Sequence, residues 1–428
     1  MSLLFILLSA ISLYLYYISE ISFKIPTLII SASVLASLIL LYKEQYGYLF
    51  SYLFYLFISH YGIFFVDVFE SNPFIEYRGD LSWYYNNFKL LHINTSLFIL
   101  GYLLISYILV IIKKENKINQ SINEFGNKYF YYAGILLIVF FTILYLYYIF
   151  TGKLRIGNYL EYVDSLGEAK LYPYGIAALS IGIAFTFSNT NRKGIIKLIL
   201  LLLVPLSLLL MTGNRGEVFY PLLASMAVLI NRGIKIKKIT ASFLLFAFFI
   251  LIPIIKFTRE LEKVTISEIN INWYSSLVEI GYTLRPMGYV VNWISNGERM
   301  SLGMSYIAPF QRILSNFIPQ MSEIDYHQVG YGFRYRLPGM GFSVIAESYY
   351  NLGYVGMLIA CTIICLVCWK FNIVKTYKNL SIFTAIFSLM LGNIRNAFST
   401  FPAAVIFVLF VSFVVLFWGN LNEKVKKR

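Results

Sequence analysis

The sequence predicts an all-α polytopic membrane protein, and three observations predict it. Hydrophobic residues fill 59% of the 428 positions and charged residues only 13%, with a mean hydropathy of +0.70, far from soluble globular usage. Apolar runs of roughly 16 to 22 residues recur from end to end, each close to what ~30 Å of hydrocarbon needs at about 1.5 Å of rise per helical residue. The runs are continuous and do not alternate, which excludes spanning strands.

Twelve helices are expected in order. The first, near 2–19, lacks a basic leader region and a small-residue cleavage site, so it is read as a span and kept in the mature chain. Spans near 25–42, 48–69 and 91–112 follow, parted by the polar stretches 43–47 and 70–90. A basic segment with Lys113, Lys114, Lys117 and Lys128 precedes 129–150, and Asn189 to Gly194 divides 172–188 from 195–211. A glycine-flanked turn leads into 217–231, and Lys235, Lys237 and Lys238 precede 240–256. The last three lie near 343–369, 381–393 and 401–419.

The whole chain, 1–428, reads as a single integral membrane domain with one large external loop at 257–340. The basic connections at 113–128, 192–197, 232–238 and 370–378, and the tail Lys424 to Arg428, fall on one side if both termini are cytoplasmic. The net charge of +14 is therefore cytoplasmic and gives no reason to expect nucleic acid. Most lysines fall inside, whereas most arginines fall outside. Arginine offers a planar fork that grips phosphate or carboxylate oxygens in pairs, so the outward surface is suited to an anion.

Within the large loop, Asn272–Ile280 and Ser305–Phe317 read as short amphipathic helices. Trp273, Leu277 and Ile280, then Ile307, Phe310 and Leu314, recur near helical spacing and suit a membrane-surface position. Capping the bundle and guiding a substrate both remain open for them. Cys361, Cys365 and Cys368 share one helix face, where packing is favoured over metal ligation, and no disulfide framework exists. His60 and His92, within or at the end of spans, read as packing or hydrogen-bonding residues.

Four places carry residues able to do chemistry. Arg215 sits in the turn Thr212 to Glu217, and Arg395 in the segment after 381–393; both flank spans that look short, about 22 and 20 Å against ~30 Å of hydrocarbon. An arginine held below the surface there needs a partner and is a candidate functional residue, with snorkelling to lipid phosphate as the plain alternative. Arg334 and Arg336 alternate with aromatics before a glycine-rich bend. Glu347 lies about two turns into the outer end of the tenth span, where its protonation state depends on whether an arginine holds it ionised. Glu323, Asp325 and His327 alternate, which is weak evidence for a cation site and fits a polar surface as well. Phosphate-loop, dinucleotide and zinc-protease motifs are absent, so any substrate is lipid-borne or reaches the site from the membrane or the outer face.

The block Thr212 to Glu217, the stretch Gly339 to Gly356 with Ser343, Ala346, Glu347, Tyr350, Asn351 and Gly353, and Gly392 to Ser399 with Arg395 resemble the Wzy-type polysaccharide repeat-unit polymerases. The resemblance implies a polytopic glycosyltransferase of the GT-C type, related to O-antigen ligases. Such an enzyme joins oligosaccharide repeat units carried on undecaprenyl pyrophosphate at the outer face of the bacterial inner membrane. It makes Arg215, Arg395, Arg334 and Arg336 the pyrophosphate-binding set, to which Arg285 of the same loop is added. Glu347 and His327 become the candidate bases. No cofactor and no metal are expected; the expected partners are the lipid-linked donor and acceptor and membrane lipids, and a chain-length regulator is a candidate. The rival readings are a lipid-linked oligosaccharide flippase, which usually shows repeated halves not found here, and an O-antigen ligase.

Overall fold

The computed structural model describes residues 2–70, 74, 80–112, 126–155, 165, 167–211, 215–234, 274–315, 317–318, 320, 336–337, 341–374 and 376–426. Among the described residues every regular element is helical. The first three are α1 (Ser2–Ile18), α2 (Lys24–Lys43) and α3 (Gly47–Phe69, with a π turn at Phe57–Tyr61). The short α4 (Ser82–Tyr85) precedes α5 (Phe88–Ile112), α6 (Lys128–Phe150), α7 (Tyr172–Asn189), α8 (Gly194–Met211) and α9 (Arg215–Asn231). Then come α10 (Ser275–Gly281), α11 (Arg285–Ser295), α12 (Met304–Ser315), α13 (Val344–Asn372), α14 (Tyr377–Asn393) and α15 (Phe401–Lys426).

Each expected span has its helix except 240–256, which lies outside the described residues. Six helices are long and apolar enough to cross a membrane: Lys24–Lys43, Gly47–Phe69, Phe88–Ile112, Lys128–Phe150, Val344–Asn372 and Phe398–Asn422. Ser2–Ile18, Gly194–Leu210 and Gly216–Asn231 are apolar but shorter. The helices present to the surroundings the side chains that water would drive inward, with Phe150 at 84% and Ile112 at 71% exposure. Hydrocarbon is the solvent that such a surface requires, so the protein is an integral membrane protein.

Two expectations about helix ends change. The predicted span 381–393 starts at Tyr377, because helical backbone runs on through polar residues where apolarity stops; Thr376 Oγ1 accepts the Asn379 N–H at 3.3 Å at its start. Its length is therefore about 25 Å rather than 20 Å. Glu347 is in the first turn of α13 and not two turns inside it. That helix is also broken, since Leu352 (φ −139°, ψ 21°) and Gly353 (φ 58°, ψ −140°) leave helical geometry. Glycine alone adopts the Gly353 conformation readily.

The chain forms two compact units. The first comprises Met1–Asn116, Leu277–Asn372 and Asn393–Ala403. Here Ser9 and Ser33 join α1 to α2 through a 2.6 Å hydroxyl pair, and His92 Nε2 pairs with Thr27 Oγ1 at 2.8 Å among the rings of Tyr16, Phe23, Tyr61 and Phe64. His60, in the π turn, pairs with Ser59 at 2.9 Å. The three buried cysteines pack α13 on α5, with Cys361 and Cys365 each 3.8 Å from carbonyls of Phe98 and Tyr102. Neutral hydrogen bonds of this kind satisfy polar groups where no water reaches.

The second unit comprises Lys117–Ser276, Ile373–Gly392 and Ala404–Arg428. Its helices α6 and α7 meet at Gly134 and Gly182, where a Cβ on either would come within 2.7 Å of the other's carbonyl. Around them Phe130, Ile181, Phe185, Ala385, Val408 and Val415 form the core. Buried Arg232 donates to the Phe187, Ser188 and Thr190 carbonyls and so caps the end of α7, as a cation at a helix C-terminus should.

Candidate active site

The site is built in the first unit, around Glu347. Ser343 opens α13 by accepting the Ala346 N–H on its hydroxyl at 3.1 Å, and this cap sets the direction of the first turn. Glu347, only 2% exposed, then points into the unit. Its Oε1 accepts the Ser305 hydroxyl of α12 at 2.7 Å, and its Oε2 accepts the backbone N–H of Phe398 at 2.8 Å. Asn351, one turn on, donates from Nδ2 to Ser305 Oγ and to the Glu347 carbonyl, both at 2.7 Å. One buried carboxylate thus ties α12, α13 and the segment beyond α14 into a knot, with neutral donors only.

The aromatic rings close over this knot. Phe398 meets Tyr306 at 5.5 Å, Phe310 at 6.2 Å and Phe401 at 5.6 Å between ring centroids. The Tyr306 hydroxyl lies beside Asn351, yet neither it nor Asn351 Oδ1 completes a well-formed hydrogen bond. Burial pushes the Tyr306 phenol up, and the adjacent Glu347 carboxylate adds to the shift, so the hydroxyl is a neutral donor.

Arg395 stands three residues before Phe398, in the turn that follows α14, and is exposed. Its main-chain carbonyl lies against Gly341 so closely that a Cβ at 341 would overlap it, and Asn396 Oδ1 would stand only 2.9 Å away. Glycine at 341 is therefore required for the backbone before α13 to pass the Arg395 turn. Glu347 and Gly341 bracket that turn from two sides.

Arg336 occupies a different arrangement from the one expected of it. Both its Nη atoms donate to Glu298, at 2.6 and 2.7 Å, and its guanidinium lies 3.6 Å over the Trp293 ring. Tyr350 of α13 also donates to Glu298 at 2.8 Å, and its ring meets Trp293 edge-on at 6.2 Å. The fork of Arg336 is thus engaged by a carboxylate 38 residues upstream. Its hydrogen bonds hold Glu298 below the ordinary carboxylate value of 4.5. A lowered folded value means that the pair's contribution is complete above pH 4.5 and fades as pH falls through the lowered value. The melting-temperature gap between the wild type and Glu298→Gln should therefore be constant from pH 7 to 5 and shrink as pH falls below 4.5, where the carboxylate begins to be lost in the unfolded chain. A gap that stays flat down to pH 3 would contradict the pairing.

Arg285 opens α11, with Nη2 donating to Tyr289 at 3.1 Å and Nε buried without a partner among the described residues. Arg215 opens α9 in the second unit, and its side chain lies outside the described part. His327, Arg334, Glu323, Asp325 and Trp273 also lie outside the described residues. Arg395, Glu347, Arg336 and Arg285 are in one unit, and Glu347 is bonded to Phe398 of the segment that carries Arg395.

Helix α11 is an addition to the expected elements, and its sequence signal is Pro286 at the first turn with Met287, Val290, Val291 and Ile294 at helical spacing. It supplies Trp293, the platform for Arg336. Glu298 gave no local signal, since its partners come from 38 and 52 residues further on.

Three comparisons bear on this arrangement. Residues 1–423 match the family model described as O-antigen polysaccharide polymerase Wzy. The chain is 45% identical over 413 residues to Protein CapE of Staphylococcus aureus, covering 96% of this chain and 94% of that one. No solved structure matches. With a family model covering nearly its whole length and a relative alike along nearly all of both chains, this protein belongs to the Wzy family of O-antigen polysaccharide polymerases.

Proposed function

We propose that the protein joins oligosaccharide repeat units, each carried on undecaprenyl pyrophosphate, into a surface polysaccharide at the outer face of the bacterial inner membrane. In this reading the bundle has twelve spans of GT-C type with both termini cytoplasmic, so that the Arg395 turn and the 257–340 loop face outward. The observation that carries it is the Glu347 knot, in which a buried carboxylate and four hydrogen bonds hold a turn that exposes an arginine.

The chemistry asks for such a turn. As the anomeric bond of the donor breaks, negative charge gathers on the departing pyrophosphate, and prearranged cations at a dry site stabilise it. Arg215, Arg395, Arg334 and Arg285 take this role. Arg336 joins them by exchange, because a phosphate offers its fork the same two-oxygen edge as Glu298 with more charge. The acceptor hydroxyl must lose a proton as it attacks, and His327 is assigned as the base. Glu347, with both oxygens engaged, is assigned as a positioning residue. The arginines supply the positive charge themselves, so no metal step is invoked.

The test is purified protein given synthetic lipid-linked repeat units, with polymer read on a gel and a chelator in one arm. Polymer in both arms is expected. Loss with EDTA and recovery with magnesium would move the charge-stabilising role to a cation held near Glu323 and Asp325. Single units moved across a bilayer without being joined would favour the flippase, and finished chains moved from carrier to lipid A would favour the ligase.

A further inference from the structure

Helix α12 and its flanks are inside out by the standard of a water-soluble helix. Along Met304, Ile307, Phe310 and Leu314 the spacing is helical, and Phe317 and Ile318 continue the stripe. These residues are exposed, from 38% at Met304 to 79% at Phe317. The face that packs inward is instead Ser305, Ala308 and Pro309, small and in part polar. Water would drive the stripe into the unit, and the unit has filled that place with the Ser305 tie to Glu347.

What lies against the stripe is indicated by what it adjoins. Two backbone bonds, Ser301 N–H to the Tyr350 carbonyl at 3.0 Å and Leu302 N–H to the Asn351 carbonyl at 2.9 Å, fasten the strap before α12 to the break in α13. A Cβ on Gly353 would meet Met300 at 3.0 Å. Leu302, 75% exposed, is therefore fastened at Asn351, directly before Leu352, Tyr354 and Val355, which begin the exposed apolar surface of a membrane-length helix. The stripe extends a surface that already requires hydrocarbon.

We propose that residues 300–315 with Phe317 and Ile318 form an in-plane membrane-contact segment. Its stripe is seated in the phospholipid leaflet on that side, and through Ser305, Glu347 and Phe398 it holds the Arg395 turn at headgroup depth. Every exposed residue of α12 is apolar, and Arg312, seven residues after Ser305, lies on the face turned to the unit. A lipid-linked diphosphate has its charge at that same depth, so a reacting arginine would need no excursion to meet it. The inference rests on the membrane reading of the fold, not on the glycosyl-transfer reading.

The experiment places one nitroxide at a time on the full-length protein in phosphatidylethanolamine and phosphatidylglycerol nanodiscs, at Ile307→Cys, Phe310→Cys and Leu314→Cys on the stripe and at the exposed polar positions Ser295→Cys, Asn296→Cys and Gln320→Cys. The native cysteines are buried against α5. Collision with oxygen, which concentrates in lipid, is compared with collision with a water-soluble nickel chelate. A ratio several-fold higher at 307, 310 and 314 than at 295, 296 and 320 is expected. Equal ratios, or nickel access at the stripe, overturn the proposal. So does shielding from both probes, which would mean protein covers the stripe. The readout needs no substrate, so it can fail while polymerisation stands, and the reverse.

Discussion

Replacing Arg395 by lysine is expected to abolish long polymer while the protein remains in the membrane at wild-type level. The turn is held through backbone atoms, at Gly341 and at the Phe398 N–H bonded to Glu347, so the change keeps the charge and leaves both of these ties in place. What disappears is the planar fork, and with it paired hydrogen bonds to two phosphate oxygens. Removing one preorganised donor from a developing anion costs about 100- to 1,000-fold in rate. Arg215→Lys should behave alike if both arginines meet pyrophosphate. The readout is a gel of carrier-linked products, where single repeat units should accumulate. Normal chain lengths in both variants would remove these arginines from the chemistry.

The second large effect separates two roles for Glu347. Glu347→Ala leaves the Phe398 N–H and the Ser305 hydroxyl, both within the knot, without their acceptor. Each such loss costs about 1–3 kcal/mol, so the turn bearing Arg395 should open and polymerisation should fall by at least about tenfold. Glu347→Gln can keep the knot, with its carbonyl facing Phe398 N–H and its amide donating to Ser305. A positioning residue then retains a sizeable fraction of activity as glutamine, with kcat changed little, whereas a catalytic base would lose nearly all of it. Inactivity of the glutamine variant, in protein whose Arg395 turn is unaltered by cysteine labelling, would return the base to Glu347.

The spans were legible because a membrane helix is a local property: an apolar run of the right length is read one residue after another. Where apolarity and helicity part company, the helix outruns its apolar run, as at α14, whose first turn is Tyr377, Lys378 and Asn379. The break in α13 was hidden for a related reason. Gly353 was visible, but a glycine within an apolar run breaks a helix only when its surroundings need the bend, and here Met300 sits in the notch. Glu347 stood out because a carboxylate at the edge of a span is costly. Its partners were not legible, since Ser305 and Phe398 lie 42 and 51 residues away on either side of it.

By itself, then, the sequence determined that this protein lives in a membrane, that its spans are helices, and that its arginines gather in the connections that resemble a polysaccharide polymerase. Each of these follows from composition, run length or a short motif, quantities that do not depend on how the chain returns upon itself. Tertiary structure alone decided that Glu347 is a tie among three segments, that Arg336 is held by Glu298 on Trp293, and that α13 breaks at Gly353. The physical reason is that hydrogen bonds and burial are relations between distant parts of the chain. A carboxylate has the same formula whether it meets an arginine, a serine or water, and only packing chooses among them.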